Sequence, residues 1–171
     1  MTKVRQIFID MDGVLADFEL GLTDALGYKV SLKDKKDVYA EQKRMLTAQR
    51  IFRNLKPLPD AWKLVDYCMT SGIHTEVLTT AGTINRDLVV KDKIDWIKNH
   101  IHPYWTIIPT FKGSQKAAFA HKKAVLIDDR ERNIKCWVDA GGIGILHITA
   151  DETIEQLDYV INTDDDHGEG E

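Results

Sequence analysis

A run of apolar residues that ends in two carboxylates, close to the N-terminus, is the most informative part of this sequence. The run Ile7-Phe8-Ile9 contains β-branched and aromatic side chains, which predicts a buried strand. Asp10 and Asp12 follow it and would lie on the same side of an extended chain, while Gly13 permits a sharp turn. Such carboxylates repel each other, and a hard cation such as Mg²⁺ would relieve that repulsion. The alternative for this motif alone is a polar turn after a strand.

Composition places the chain among ordinary globular proteins, with 171 residues, 43% hydrophobic and 29% charged. This length predicts one domain with room for an insertion. The net charge of −4 argues against duplex nucleic acid or an anionic membrane as the main partner. The sequence shows neither a signal peptide nor an apolar run of the ~20 residues that span a bilayer, which predicts the cytoplasm. Cys68 and Cys136 are expected to be buried free thiols.

Strands and helices alternate along the chain. Predicted strands cover 4–9, 75–80, 105–109, 124–127 and 143–148. The intervening segments are predicted to be mainly helical, including most of 17–58, and the acidic segment 164–171 is predicted to be a disordered tail. The alternation predicts an α/β fold with a Rossmann-like parallel sheet covered on both faces.

Three of the predicted strands end in polar residues. The first ends at Asp10, the second at Thr79-Thr80 and the fourth at Asp128-Asp129. Ligands of such folds bind outside the carboxyl ends of the strands. These residues are therefore expected to meet at one edge of the sheet, and this convergence is more specific than any one of the motifs.

The order and spacing of these motifs resemble the haloacid dehalogenase superfamily, through DMDGVLAD (10–17), VLTT (77–80), Lys116 and LIDD (126–129). The resemblance is closer to the 5′(3′)-deoxyribonucleotidases, through ADFE (16–19), FRNLKPLPDA (52–61), Trp96-Ile97 and IDDR (127–130). It implies a core formed by 1–16 and 59–163, with a small helical cap at 17–58 inserted after the first strand. It also allows a homodimer.

The resemblance implies a phosphatase mechanism. Asp10 would attack phosphorus and form an aspartyl-phosphate, and Asp12 would protonate the leaving oxygen and then activate water. Mg²⁺ would be held by Asp10, by the backbone carbonyl of Asp12 and by an acid of the pair 128–129. Asp129 is the favoured direct ligand, with Asp128 orienting the lysine or a metal-bound water.

Thr80 and Ala81 are the expected phosphate contacts after the second strand. Thr79 should point away from Thr80 unless the register slips by one residue, and ordinary strand threonines are the alternative for both. Lys116 is the preferred phosphate-neutralising lysine. Lys112 is its rival, and either lysine could instead be an ordinary surface residue.

The predicted cap should contact the leaving group. Phe18 matches a family position that packs on the nucleobase, and Phe52 falls near another, although both could instead form the core of the cap. Further candidates for the base pocket are Tyr39, Met45 and Arg50.

Three functions remain open from the sequence. The first is hydrolysis of deoxyribonucleoside monophosphates. The second is a phosphatase of the same superfamily that acts on another small phosphate, such as a sugar phosphate. The third is a non-catalytic protein that binds a nucleotide.

Overall fold

The computed structural model describes residues 4–31 and 35–163. The strands are β1 (Gln6–Ile9), β2 (His74–Thr80), β3 (Ile107–Thr110), β4 (Ala124–Asp128) and β5 (Ile143–Leu146). The α-helices are α1 (Phe18–Leu26), α2 (Lys35–Ala48), α3 (Ala61–Thr70), α4 (Arg86–His100), α5 (Glu131–Asp139) and α6 (Ala150–Asn162). Short 3-10 helices cover Ile51–Arg53 and Gly113–Phe119.

All five strands of the described chain form one parallel sheet in the order β3-β2-β1-β4-β5. In the central register, Ile9 of β1 lies opposite Val77 of β2 and Ile127 of β4. The carboxyl ends of these three strands therefore lie side by side, with β1 in the middle. The predicted fold class, an α/β protein with a Rossmann-like parallel sheet, is confirmed.

Apolar side chains cover both faces of the sheet. Ile7 and Ile9 are fully buried in the larger core cluster. Phe8 points to the opposite face, where it packs in a second cluster with Leu78 and Trp137. A parallel sheet needs such cover on both faces, since its strands carry no polar face toward water.

The 17–58 segment packs into the larger core through α1, α2 and the first 3-10 helix. Asp17 caps α1 by accepting a hydrogen bond from the Leu20 backbone N–H at 3.0 Å. At the other end of the segment, Arg50 has a φ of 63° and forms an ion pair with buried Asp92 of α4. That the segment acts as a cap stays a prediction.

The third and fifth strands differ at their ends from the predicted ranges. β3 begins two residues later than predicted, at Ile107, the first residue that pairs with β2. β5 ends two residues earlier than predicted, at Leu146, because its partner strand β4 ends at Asp128.

Both cysteines are free thiols, as predicted, but only Cys68 is fully buried, and Cys136 is half-buried. No helix in the described part of the chain has the length and apolar character needed to cross a membrane. The acidic tail at 164–171 and the predicted helix start at 32–34 lie outside the described residues.

Candidate active site

Three carboxylates meet at the carboxyl edge of β1 and β4. Ligand oxygens of Asp10, Asp128 and Asp129 all lie within 4.8 Å of one another. Gly13 makes this approach possible: it has a φ of +82°, and a Cβ there would lie 2.3 Å from Asp129 Oδ2. Oxygen ligands suit a hard divalent cation, so these residues could hold Mg²⁺.

Lys116 lies between two of these carboxylates. Its Nζ is 2.9 Å from Asp10 Oδ1 and 2.6 Å from Asp128 Oδ2, and its side chain is 1% exposed. Burial lowers the pKa of Lys116, but the two carboxylates outweigh burial, so the pKa is raised and the ammonium stays charged. Lys112 is exposed and takes no part in this contact.

Asp128 is held on both oxygens. Asn133 Nδ2 donates to Oδ1 and Oδ2 at 3.1 and 3.0 Å, and the Arg130 backbone N–H donates to Oδ1 at 2.9 Å. Burial and the adjacent Asp10 charge raise the pKa of Asp128, an effect that Lys116 opposes. These contacts hold the Asp128 carboxylate in a fixed position from which it can orient Lys116. Sequence reasoning did not single out Asn133.

Asp12 has a different partner from the other acids. Lys93 of α4 donates to Asp12 Oδ2 at 2.6 Å, to Thr79 Oγ1 at 2.9 Å and to the Thr80 carbonyl at 2.9 Å. Asp12 Oδ1 is buried and has no hydrogen-bond partner among the described residues. One oxygen of Asp12 is therefore fixed by Lys93, and the other has no partner within the described chain.

Sequence reasoning missed Lys93, which is 1% exposed. A signal was nevertheless present, because Lys93 is four residues from both Val89 and Ile97 and so lies on the buried face of α4. A lysine at a position of this kind is expected to have a buried partner.

Charge balance also fits a divalent cation. Asp10, Asp12, Asp128 and Asp129 supply four carboxylates against the two buried ammonium groups of Lys93 and Lys116, an excess of two negative charges when all are ionised. A single Mg²⁺ would neutralise this excess. Asp12 contributes no carboxylate oxygen to the three-acid cluster.

The last two residues of β2, Thr79 and Thr80, point in different directions. Thr79 Oγ1 faces Lys93, whereas Thr80 Oγ1 lies 3.4 Å from Thr110 Oγ1 of β3. The Ala81 backbone N–H donates to the Thr110 carbonyl at 2.8 Å. Phosphate contacts from Thr80 and Ala81 therefore stay predictions, and Thr79 is the threonine in contact with the Lys93–Asp12 pair.

Phe18, Phe52 and Tyr39 form one aromatic cluster beside the site. The two phenylalanine rings are parallel within 3° with centroids 5.7 Å apart, and Tyr39 meets both edge-on. Both phenylalanines are 4% exposed, and Lys93 Nζ lies 4.4 Å from the Phe52 ring centroid. Burial, reinforced by the Asp12 charge, raises the pKa of Tyr39. A nucleobase contact by Phe18 or Phe52 stays a prediction.

The other two candidates for the base pocket lie apart from this cluster. Met45 is exposed, and Arg50 is engaged with Asp92.

A cavity of about 1280 Å³ opens beside Asp129, between α1 and the loops that follow β1 and β4. Its volume exceeds what a small-molecule ligand requires. Phe18 and Leu58 contribute apolar surface. The charged side chains along it are the basic Lys29, Lys112, Arg130 and Arg132 and the acidic Asp17, Glu19, Asp60 and Asp129. The cavity could therefore accept an anionic organic molecule next to the carboxylates.

Comparisons with known proteins agree with this arrangement. Residues 3–155 match the family described as "5′ nucleotidase, deoxy (Pyrimidine), cytosolic type C protein". A comparison with curated protein sequences gave no significant match.

Similar solved structures are hydrolases of one superfamily. They include a Had-superfamily hydrolase from Ehrlichia chaffeensis, with a TM-score of 0.57 and 17% identity over 95% of this chain and 100% of that one. A haloacid dehalogenase-like family hydrolase from Xanthomonas campestris has a TM-score of 0.60 and 10% identity over 94% and 93%. A HAD hydrolase of family IA, variant 3, from Entamoeba histolytica has a TM-score of 0.55 and 16% identity over 94% and 100%. At these identities the likeness concerns the fold.

Proposed function

Because the chain belongs to the family of cytosolic type C 5′ nucleotidases, we propose that it is a Mg²⁺-dependent phosphomonoesterase that hydrolyses deoxyribonucleoside monophosphates. One observation carries the proposal: Asp10 and Asp12 leave β1 side by side, and each faces its own buried lysine. This arrangement separates a nucleophile from an acid/base group, which is what a two-step phosphoryl transfer requires.

In the first step, an Asp10 oxygen attacks phosphorus, the bond from phosphorus to the ester oxygen breaks, and an aspartyl-phosphate forms. Asp12 gives its proton to the departing oxygen, which leaves as an alcohol. In the second step, Asp12 takes a proton from water, the water oxygen attacks phosphorus, and inorganic phosphate and the Asp10 carboxylate are released. Lys116 lies against Asp10 and offsets charge on the phosphoryl oxygens.

Asp10, Asp128 and Asp129 are the residues that would hold Mg²⁺. When bound, the ion supplies charge neutralisation, so that a phosphate dianion can approach a site rich in carboxylates.

The nucleoside is assigned to the cavity beside Asp129. Its volume, its position next to Asp129 and the apolar surface of Phe18 in its wall support this assignment. The 17–58 segment, which carries α1 and α2, would act as a cap that excludes water during phosphoryl transfer. The family description names deoxynucleotides and a cytosolic location, which supports this substrate class and a cytoplasmic enzyme.

The decisive experiment measures phosphate release from deoxyribonucleoside, ribonucleoside and sugar monophosphates, in Mg²⁺ and in EDTA. The expected result is Mg²⁺-dependent turnover that is fastest with deoxyribonucleotides and is lost in Asp10→Asn, a variant that should keep its fold. Turnover of sugar phosphates alone would be consistent with the proposed mechanism but would contradict the proposal that deoxyribonucleoside monophosphates are the substrates. No turnover of any substrate would indicate a binding protein.

A further inference from the structure

Lys43 of α2 reaches across to the loop that follows β2. A Cβ on Gly82 would lie 2.5 Å from Lys43 Nζ and 3.3 Å from its Cε, so the side chain rests directly on the backbone of that loop. Gly82 comes two residues after Thr80, the last residue of β2. Helix α2 therefore brings an ammonium group to the edge of the sheet where the proposed phosphate site lies.

The charge of Lys43 is not neutralised there. In the part of the chain that the structure describes, no carboxylate forms an ion pair with it. Burial, and then the neighbouring Lys93 ammonium, lower the pKa of Lys43. Asp12 already forms an ion pair with Lys93. Lys43 therefore has a positively charged neighbour but no acidic partner among the described residues.

A structural role for Lys43 explains little of why an ammonium without an acidic partner lies at this position. Its visible packing contact is with Tyr39, whose ring centroid lies 5.6 Å from Nζ. Its backbone carbonyl accepts from Thr47, but any residue at this position offers the same carbonyl. A half-buried ammonium beside another one costs stability. An anion bound to Lys43 would offset that cost.

We propose that Lys43 is a substrate-binding residue, whose ammonium binds the phosphoryl oxygens of the phosphate monoester beside the loop after β2. The inference rests on the proposed function, because it assigns the transferring phosphate as the missing anion. The contact between Lys43 and the phosphate also couples phosphate binding to the position of α2. Through this contact the predicted cap is joined to the core.

Arg44 supplies a matched control. It is the next residue of the same helix, its side chain is exposed, and that side chain forms no hydrogen bond or ion pair within the described chain. Lys43→Met and Arg44→Met remove one positive charge each from α2. Binding of inorganic phosphate in Mg²⁺ would be measured by calorimetry for the wild type, both variants and Lys43→Arg, and thermal unfolding would be followed for each.

The expected result is that Lys43→Met weakens phosphate binding about tenfold or more, the effect of losing one charge-assisted contact. Arg44→Met should bind like the wild type, and Lys43→Arg should recover part of the loss. The Tm of Lys43→Met should stay equal or rise, because an unpaired charge has been removed. Lys43→Gln, which keeps a polar side chain, replaces Lys43→Met if that variant fails to fold.

Phosphate affinity of Lys43→Met within twofold of that of Arg44→Met would overturn the inference. So would a lowered Tm together with unchanged affinity, which would indicate a structural lysine. Turnover of the wild type separates this failure from failure of the proposed function. If phosphate binding depends on Lys43 but no monophosphate is turned over, Lys43 binds phosphate and the proposed enzymatic function is wrong. If Lys43→Met turns over substrate normally, only the proposed role of Lys43 is wrong.

Discussion

Lys93 and Asp12 form an ion pair of 2.6 Å between residues 81 positions apart in the chain. The lysine comes from α4 and the carboxylate from the turn after β1, so the pair joins the proposed acid/base group to the helix that follows β2. Thr79 and the Thr80 carbonyl fix the ammonium from the other side. The position of Asp12 thus depends on a residue of α4 that belongs to none of the motifs named in the sequence.

Replacing Lys93 with Met should therefore impair both stability and turnover. It leaves a partly buried carboxylate without its cation, a loss of about 2 kcal/mol in the free energy of unfolding. Turnover should fall more than about tenfold because Asp12 is no longer oriented. Urea unfolding and phosphate release measure the two effects.

Lys91→Met is the control on the same helix, since Lys91 forms an exposed pair with Asp95 and should matter little. Adding Asp12→Asn to Lys93→Met should restore stability but not turnover. If Lys93→Met and Lys91→Met have the same free energy of unfolding and the same turnover, the Lys93–Asp12 ion pair contributes to neither.

The two lysines near β4 should differ strongly. Lys116→Met removes the ammonium between Asp10 and Asp128, and turnover should fall by about 10²–10³, as when one stabilising donor is lost. Lys112→Met removes an exposed charge and should change turnover less than about threefold with p-nitrophenyl phosphate. Circular dichroism of both variants controls for folding. A larger loss in Lys112→Met would transfer the phosphate role to Lys112.

The carboxylate cluster could be predicted because it depends on topology alone. Asp10 and Asp128 directly follow apolar runs, and in a parallel sheet the ends of neighbouring strands must meet at one edge. Asp129 directly follows Asp128, so the same rule predicts that Asp129 also lies at this edge, close to Asp10. The buried contact of Lys116 with both acids was not deducible from the residues themselves, and the choice of Lys116 over Lys112 came from the family resemblance.

Lys93 and Lys43 could not be assigned in this way. Their partners lie on other elements, and a lysine in a charged helix normally faces water. The packing of α4 against β3 buries Lys93, and the packing of α2 against α4 brings Lys43 to Gly82. The direction of Thr79 and Thr80 was equally undetermined, because both threonines suit a strand and a shift of one residue exchanges their faces.

Magnesium should stabilise the folded protein through the three-acid cluster. Since a cation that binds only the native state raises stability, saturation at a hundred times the Kd should add about 2.7 kcal/mol to the free energy of unfolding. Asp129→Asn should abolish most of the Mg²⁺-dependent rise in Tm, because it removes a charged ligand. Glu155→Gln, an exposed change of the same charge on α6, should retain the full rise. An equal rise in both variants would place the metal elsewhere.

His147 should make stability depend on pH. It is 6% exposed and lies 2.8 Å from Thr153 Oγ1, and burial lowers its pKa against weaker opposition from Asp60 and Glu152. The unfolded chain takes up a proton near pH 6.5, whereas the native imidazole stays neutral to lower pH. The free energy of unfolding should therefore fall as the pH drops below about 6.5, by at most about 1.4 kcal/mol per pH unit from this one group.

His147→Asn removes this titration while retaining a polar partner for Thr153. Urea unfolding at pH 7.5 and 5.5 should show a smaller loss for His147→Asn than for the wild type. His121→Asn, a matched change at an exposed histidine, should lose as much as the wild type. A wild-type loss no larger than that of His147→Asn would show that burial of His147 does not disfavour its protonation in the folded protein, and that the pH dependence of stability arises from other groups.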